Sequence, residues 1–183
     1  IESPRCLLCD HDVEKSSHVL LCNNIETKNK FKKLTKSNLE KALTEQQTAP
    51  ELQNAMITIL GKYREGRTIT IGDFSQAFGL RQAIEEQDKG LGWNNFLLGR
   101  WSPRWQTVQK RYLRSIRSKR SSQRWCTAII HKLIMTVWDL WQFRNSLVHG
   151  EDGPLRCQNN EYYDNRIEQE FIIGDDDLLE EDK

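Results

Sequence analysis

Three cysteines and two histidines lie between residues 6 and 22 of a chain that contains only two other cysteines and two other histidines. Cys6 and Cys9 have the C-x2-C spacing that lets two thiolates on one tight turn reach the same tetrahedral ion. His18 and Cys22 are four residues apart, and on a helical turn this spacing places both side chains on one face. Together the four residues predict a structural Cys3His zinc site, because no position is left open for water. His11 is a reserve ligand.

Two other interpretations of these cysteines stay open: a C-x-x-C redox pair, or cysteines with no special role. A redox pair is expected after a β-strand and at a helix N-terminus, whereas the preceding residues, IESPR, form a poor strand. Four potential ligands at spacings that suit one metal ion also indicate zinc binding more strongly than a lone C-x-x-C pair indicates a redox site. A zinc ion can add on the order of 10 kcal/mol to a segment that is too small to fold unaided.

Length and composition are those of a polar chain with one modest domain, or with a small domain and appendages. The 183 residues are 29% charged and 37% hydrophobic, and they contain no run of 18 apolar residues, so we expect no membrane span. The chain begins at Ile1 without a leader-like segment, which favours a piece of a longer polyprotein. An odd number of cysteines without a secretory signal predicts reduced thiols and an intracellular protein, cytoplasmic or nuclear.

The hydrophobic pattern predicts a mainly α-helical fold with little β-sheet. Helices are expected after Pro50, after the Ser102-Pro103 pair, and from about Arg124 to a stop at Gly150. The last of these is the predicted core helix. Its apolar stripe runs through Trp125, Ile129, Leu133, Val137, Leu140 and Trp141.

Two shorter segments carry local signals. Ser37 and Glu40 can form a capping box, which predicts a helix start at Ser37 and a break before it. The Gly-punctuated segment 88–105 is too apolar to be a solvated loop, so we expect it to pack on the helices.

The net charge of +1 hides two regions of opposite sign. Residues 1–150 carry 24 Lys and Arg against 14 Asp and Glu, whereas residues 151–183 carry 3 against 12. We therefore predict three parts: a zinc-binding module (1–26), a helical domain with a basic face (27–150), and an acidic tail (151–183). The tail is expected to be largely disordered or peripheral, although its segment EYYDNRIEQEFII is amphipathic enough for a docked helix.

The basic face predicts contact with RNA or DNA. No acidic residue occurs from position 89 to 138. Basic side chains neutralise phosphates, and Trp101, Trp105, Tyr112 and Trp125 can stack on unpaired bases if they are exposed. The alternative is a solvated basic face above core aromatic residues. The residues predicted to contact phosphates are Arg100, Arg104, Lys110, Arg111, Arg114, Arg117, Lys119, Arg120 and Arg124.

Motifs at both ends of residues 5–150 carry a family resemblance. CLLCDHDVEKSSHVLLC is followed far downstream by LGWNNFLLGRWSPRWQTVQ and LWQFRNSLVHG, and the matching features include Glu14 before His18 and a late helix with Trp141 and Arg144-Asn145. With these features the chain resembles the zinc-binding C-terminal region that follows reverse transcriptase domains in non-LTR retroelements. The resemblance implies a nucleic-acid-binding accessory region without independent catalysis, since the chain shows no polymerase signature.

The segment RNSLVHG allows an enzymatic alternative. Arg144-Asn145 with His149 resembles the R-N-x3-H motif of HEPN-family ribonucleases, all-helical proteins that generally assemble this site by dimerisation. The resemblance implies that His149 acts as general acid or base while Arg144 holds the scissile phosphate, without a metal ion. If the chain is instead an accessory region, His149 only complements the helix dipole. A third possibility is a non-catalytic protein-interaction domain.

Overall fold

The computed structural model describes residues 5–9, 18–74, 78–150 and 153–173. These ranges contain no β-strand, which confirms the predicted mainly α-helical class. None of their helices has both the length and the apolar character that a bilayer span requires. The α-helices are α1 (His18–Leu21), α2 (Ile25–Leu34), α3 (Lys41–Glu45), α4 (Pro50–Arg64), α5 (Phe78–Glu86), α6 (Trp93–Leu97), α7 (Pro103–Ser115), α8 (Ser122–His149) and α9 (Pro154–Ile173).

The long helix α8 lies at the centre of the packing, where it contacts α1, α2, α3, α6 and α7. The side chain of Ser121 caps it by accepting a hydrogen bond from the Arg124 backbone N–H (3.4 Å), and the helix ends before Gly150 as predicted. The apolar stripe is confirmed at four positions that are at most 2% exposed, namely Trp125, Ile129, Leu133 and Leu140.

Helix α7 joins this core through an aromatic cluster. Its N-cap Ser102 accepts a hydrogen bond from the Arg104 backbone N–H (3.2 Å), and Pro103 occupies the first turn, as the sequence predicts. The Trp105 ring lies 5.3 Å from the Phe96 ring and 6.2 Å from the Trp101 ring, measured between centroids. The segment before α7 is therefore part of the core rather than a solvated loop, as expected.

The predicted helix start at Ser37 is wrong. The Ser37 hydroxyl donates to Asn38 Oδ1, and the chain passes from α2 through a π-helical stretch, Thr35–Glu40, into α3 without a break. The cap lies earlier, at Asn24, whose side chain accepts hydrogen bonds from two backbone N–H groups of the first turn. The helix continues because its apolar side chains are buried, and this packing outweighs the local capping signal.

The first part of the acidic tail is helical. Helix α9 contacts α8, and its described side chains from residue 156 to 169 are all exposed. The segment EYYDNRIEQEFII is therefore helical, but its described side chains are exposed and it lies at the periphery instead of docking on the core. The final acidic residues, 174–183, fall outside the described residues.

Candidate metal centre

The first half of the Cys/His cluster is a tight turn. The Cys9 backbone N–H donates to the Cys6 carbonyl oxygen (3.3 Å), and residues 7–9 form a turn. The turn thus presents the two thiols of the C-x2-C pair to the same point, as the spacing predicts.

The second half is α1 together with the residues that follow it. His18 begins α1 and is 4% exposed, while Cys22 comes directly after its last residue and is fully buried. The backbone of Asn24, two residues after Cys22, acts against the effect of burial, in the direction of a lower pKa for the Cys22 thiol. The reserve ligand His11 lies outside the described residues.

The two halves bring four ligand atoms together. The ligand atoms of Cys6, Cys9, His18 and Cys22 all lie within 4.8 Å of one another. The Cys6 and Cys22 sulfurs are 3.9 Å apart, and the Cys9 sulfur is 3.3 Å from His18 Nε2. Tetrahedral zinc, with Zn–S bonds of about 2.3 Å and Zn–N bonds of about 2.0 Å, requires separations of about 3.8 and about 3.5 Å. The cluster therefore fits the ion, and the five cysteines form no disulfide.

Burial and hydrogen bonding act in opposite directions on the two buried thiols. Burial raises the pKa of Cys22 to about 11, and the nearby sulfurs of Cys6 and Cys9 contribute to the rise. Burial also opposes ionisation of Cys6, but hydrogen bonds from Arg144 and from the backbone of Leu8 and Cys9 outweigh it and hold the pKa of Cys6 below its ordinary value. A divalent cation at the cluster favours the thiolate form of every cysteine that it binds.

Two buried arginines flank the cluster, and the sequence analysis placed neither of them there. Arg144 of α8 is 6% exposed, and its Nη2 donates to Cys6 Sγ (3.4 Å). Arg64, the last residue of α4, is 8% exposed, and its Nη2 donates to the Cys22 carbonyl oxygen. One sequence signal could have found them: each lies four residues after a core leucine, Leu60 or Leu140, and so on the same helix face.

The residues predicted to contact phosphates are all exposed. They lie on α7, in the segments on either side of it, and at the start of α8. Arg104 forms an ion pair with Glu86 (2.7 Å), and Arg120 donates to the Glu45 carbonyl oxygen (2.7 Å). Lys110, Arg114 and Arg120 line a polar depression of about 350 Å³ beside the first turn of α8.

Base stacking by Trp105 and Trp125 is incompatible with their burial, whereas Trp101 and Tyr112 are half-buried. Trp105 and Trp125 are 0% and 1% exposed. Trp101 is half-buried and stacks on Phe96, with ring centroids 5.0 Å apart. These residues belong to the core beneath the basic face, which is the alternative that the sequence left open.

The candidate nuclease residues do not share one surface. The Arg144 guanidinium is buried and bonds to the Cys6 sulfur, whereas His149 is exposed as the last residue of α8. Asn145 is half-buried beside Arg144. The position of His149 at a helix C-terminus is the one that a helix dipole favours for a basic residue.

An apolar groove, which the sequence did not predict, runs beside α1. Val19 and Leu20 of α1 line it together with Leu97, Trp138 and Trp141. The two tryptophans are 50% and 38% exposed, and their rings stack with centroids 4.9 Å apart. The predicted core position of Trp141 is therefore wrong, because its side chain faces this open groove.

Comparison with models of protein families, with curated protein sequences and with solved structures found no match for this chain. The chemistry of the site is therefore argued from its own geometry. Three sulfurs and one imidazole nitrogen, largely shielded from solvent, can hold a metal ion with no coordination position left for a substrate. Such an ion has a structural rather than a catalytic role.

Loss of a single ligand should empty the centre. We expect Cys6→Ser and Cys22→Ser to lower the bound metal from about one equivalent per chain to below about 0.2, since one of four ligand bonds is removed. The measurement is metal content by inductively coupled plasma mass spectrometry. Cys157→Ser, at an exposed cysteine outside the cluster, is the control and should keep the wild-type content. Equal metal content in all three variants would contradict the assignment.

Proposed function

We propose that the chain is a zinc-binding helical accessory region that contacts the phosphates of RNA or DNA through its basic face. The observation that carries this proposal is the compact set of ligand atoms from Cys6, Cys9, His18 and Cys22 in a fold that exposes every basic residue of α7 and its flanks. Thiolate and imidazole ligands in a closed tetrahedral set favour zinc, whereas calcium and magnesium prefer oxygen ligands.

The zinc ion holds two segments that have little core of their own. Residues 5–9 contribute only the buried Cys6 to the interior, and α1 contributes Val19 and Leu20. Four bonds to one ion fix these segments against each other, and the hydrogen bond from Arg144 to Cys6 connects them to α8. The ion thereby supplies folding energy and leaves the chemistry of nucleic-acid contact to the protein side chains.

The basic face has the charges that phosphate contact requires. Of the nine exposed residues, Arg104 alone forms an ion pair with a carboxylate in the described ranges. The other eight cations lack such a partner and are available to phosphates. Lys110 and Arg114 are the strongest candidates, because they line one depression beside the N-terminus of α8.

The proposed context is the region after a reverse transcriptase in a non-LTR retroelement polyprotein. Its support is that two distant motifs meet: Arg144 of the late Trp-x-x-Arg-Asn segment contacts Cys6 of the first motif, 138 residues away. The retroelement resemblance depends on these two motifs. Their direct contact supports the proposed context, because it gives both motifs a role at the same site.

The RNA-binding part of the proposal predicts a charge effect that is specific to position. We expect Lys110→Gln/Arg114→Gln to lower the affinity for a single-stranded RNA about tenfold and to reduce the salt slope of binding by about 1.4, the value for two phosphate contacts. The measurement is fluorescence anisotropy with a labelled RNA over a series of salt concentrations.

The matched control is Lys32→Gln/Lys33→Gln on α2. Both lysines are exposed, and the double variant removes the same charge from a different helix. We expect an affinity within about twofold of wild type, since only the net charge has changed. An equal loss of RNA affinity in both double variants would mean that only the net charge matters. Binding that does not depend on salt concentration would contradict the phosphate contacts.

The ribonuclease alternative is less favoured, because Arg144 is buried at the metal cluster instead of facing a substrate. We expect the chain to leave labelled RNA intact, and His149→Ala to behave in the same way. The measurement is gel analysis of end-labelled RNA without added magnesium, because the alternative mechanism needs no metal and a chelator would remove the structural zinc ion. Cleavage by the wild-type chain that disappears in His149→Ala would replace the accessory role by an enzymatic one.

A further inference from the structure

Arg64 and Arg144 bring two positive charges into the interior next to the Cys/His cluster. Both are more than nine-tenths buried, and they come from different helices, α4 and α8. A buried charge is costly unless an opposite charge or strong hydrogen bonds compensate it. The burial of these two positive charges therefore needs an electrostatic explanation. Phosphate binding at the basic face does not provide it.

Arg144 is directed at a metal ligand. Its Nη2 donates a hydrogen bond to Cys6 Sγ (3.4 Å). A sulfur that accepts a hydrogen bond from a cation is best satisfied as a thiolate. Arg144 thus matches the form of Cys6 that binds a metal ion.

Arg64 lies on the other side, next to Cys22. Its Nη2 donates to the Cys22 carbonyl oxygen, and the centre of its guanidinium is 5.8 Å from the centroid of the Phe31 ring. Among the described residues Arg64 forms no ion pair with a carboxylate, and its buried Nε and Nη1 atoms have no hydrogen-bond partner. The negative charges that act on Arg64 are those of the Cys22 and Cys9 thiolates.

The centre is opposite in sign to the two arginines, and its charge compensates one of their two positive charges. A zinc ion bound by three thiolates and a neutral imidazole carries a net charge of −1. Buried in the protein, this anion needs a counter-charge as much as the arginines do. Each arginine is held by a helix of the main core, so the attraction acts between the metal-binding segments and that core.

We propose that Arg64 and Arg144 are positioning residues of the metal centre: they are the buried counter-charges of an anionic zinc–thiolate complex, and through them metal binding docks the Cys/His segments on α4 and α8. This role rests on the proposed zinc centre. The two arginines do not bind the ion themselves. Their effect on metal affinity acts through the thiolates and through the packing of the two helices.

Zinc affinity of neutral variants tests the proposal. We expect Arg144→Met and Arg64→Met each to weaken zinc binding 10- to 100-fold, the usual cost of removing an outer partner of a metal ligand. Arg144→Lys keeps the cation and should recover most of the loss. The measurement is competition for zinc against a chromophoric chelator. Arg81→Met is the control: Arg81 is exposed on α5 and pairs with Glu85, so zinc affinity should stay at the wild-type value.

A second measurement separates counter-charge from simple packing. Chemical denaturation is recorded for each variant with zinc and with excess chelator. A counter-charge matters most when the anionic centre is formed, so the methionine variants should lose more stability with zinc than without it. Equal losses in both conditions would mean that the arginines only fill space, and would overturn the proposal.

Hydrogen exchange on the wild-type chain tests the coupling without any substitution. Removing zinc should increase amide exchange in the last turns of α4 and α8, around Arg64 and Arg144, more than in α7. Exchange that rises only in the metal-binding segments would overturn the coupling to the helices.

A wild-type chain that takes up no zinc would refute the metal centre itself. Zinc binding with unchanged affinity in both methionine variants would refute only the arginine role.

Discussion

Three sulfurs and one imidazole must be kept within 4.8 Å of one another, although they come from two short segments with little apolar surface. Three thiolates at this distance repel one another, and burial further disfavours their charge. A divalent cation removes both penalties at once. The proposed ion accounts for the position of α1 against α8 and for the burial of two arginines beside the cluster.

Helix α8 connects the metal centre to the basic face without bringing them together. Arg144 lies near its C-terminal end and Arg124 in its first turn, 20 residues apart. At 1.5 Å per residue the two positions are separated by about 30 Å along the helix. In the proposed function, the metal centre and the phosphate contacts therefore lie near opposite ends of α8. The proposed contribution of the ion to binding is to hold the scaffold on which the basic helix α7 is placed.

The sequence predicted the features that depend on local geometry. The ligand set follows from the reach of one turn and one helical turn, and the start of α7 follows from Ser102 and the proline after it. Features that depend on tertiary packing were missed. The capping signal at Ser37 lost to burial of the surrounding helix, and Trp141 was assigned to the core although it faces a groove. Arg144 was read as a catalytic candidate, since a linear sequence does not show that it reaches a cysteine 138 residues away.

X-ray absorption at the zinc edge of the purified protein tests the central claim most directly, because it counts and identifies the atoms bound to the ion. The account predicts three sulfurs at about 2.3 Å and one nitrogen at about 2.0 Å in a four-coordinate shell. A shell of oxygen and nitrogen alone, or one with fewer than three sulfurs, would contradict it.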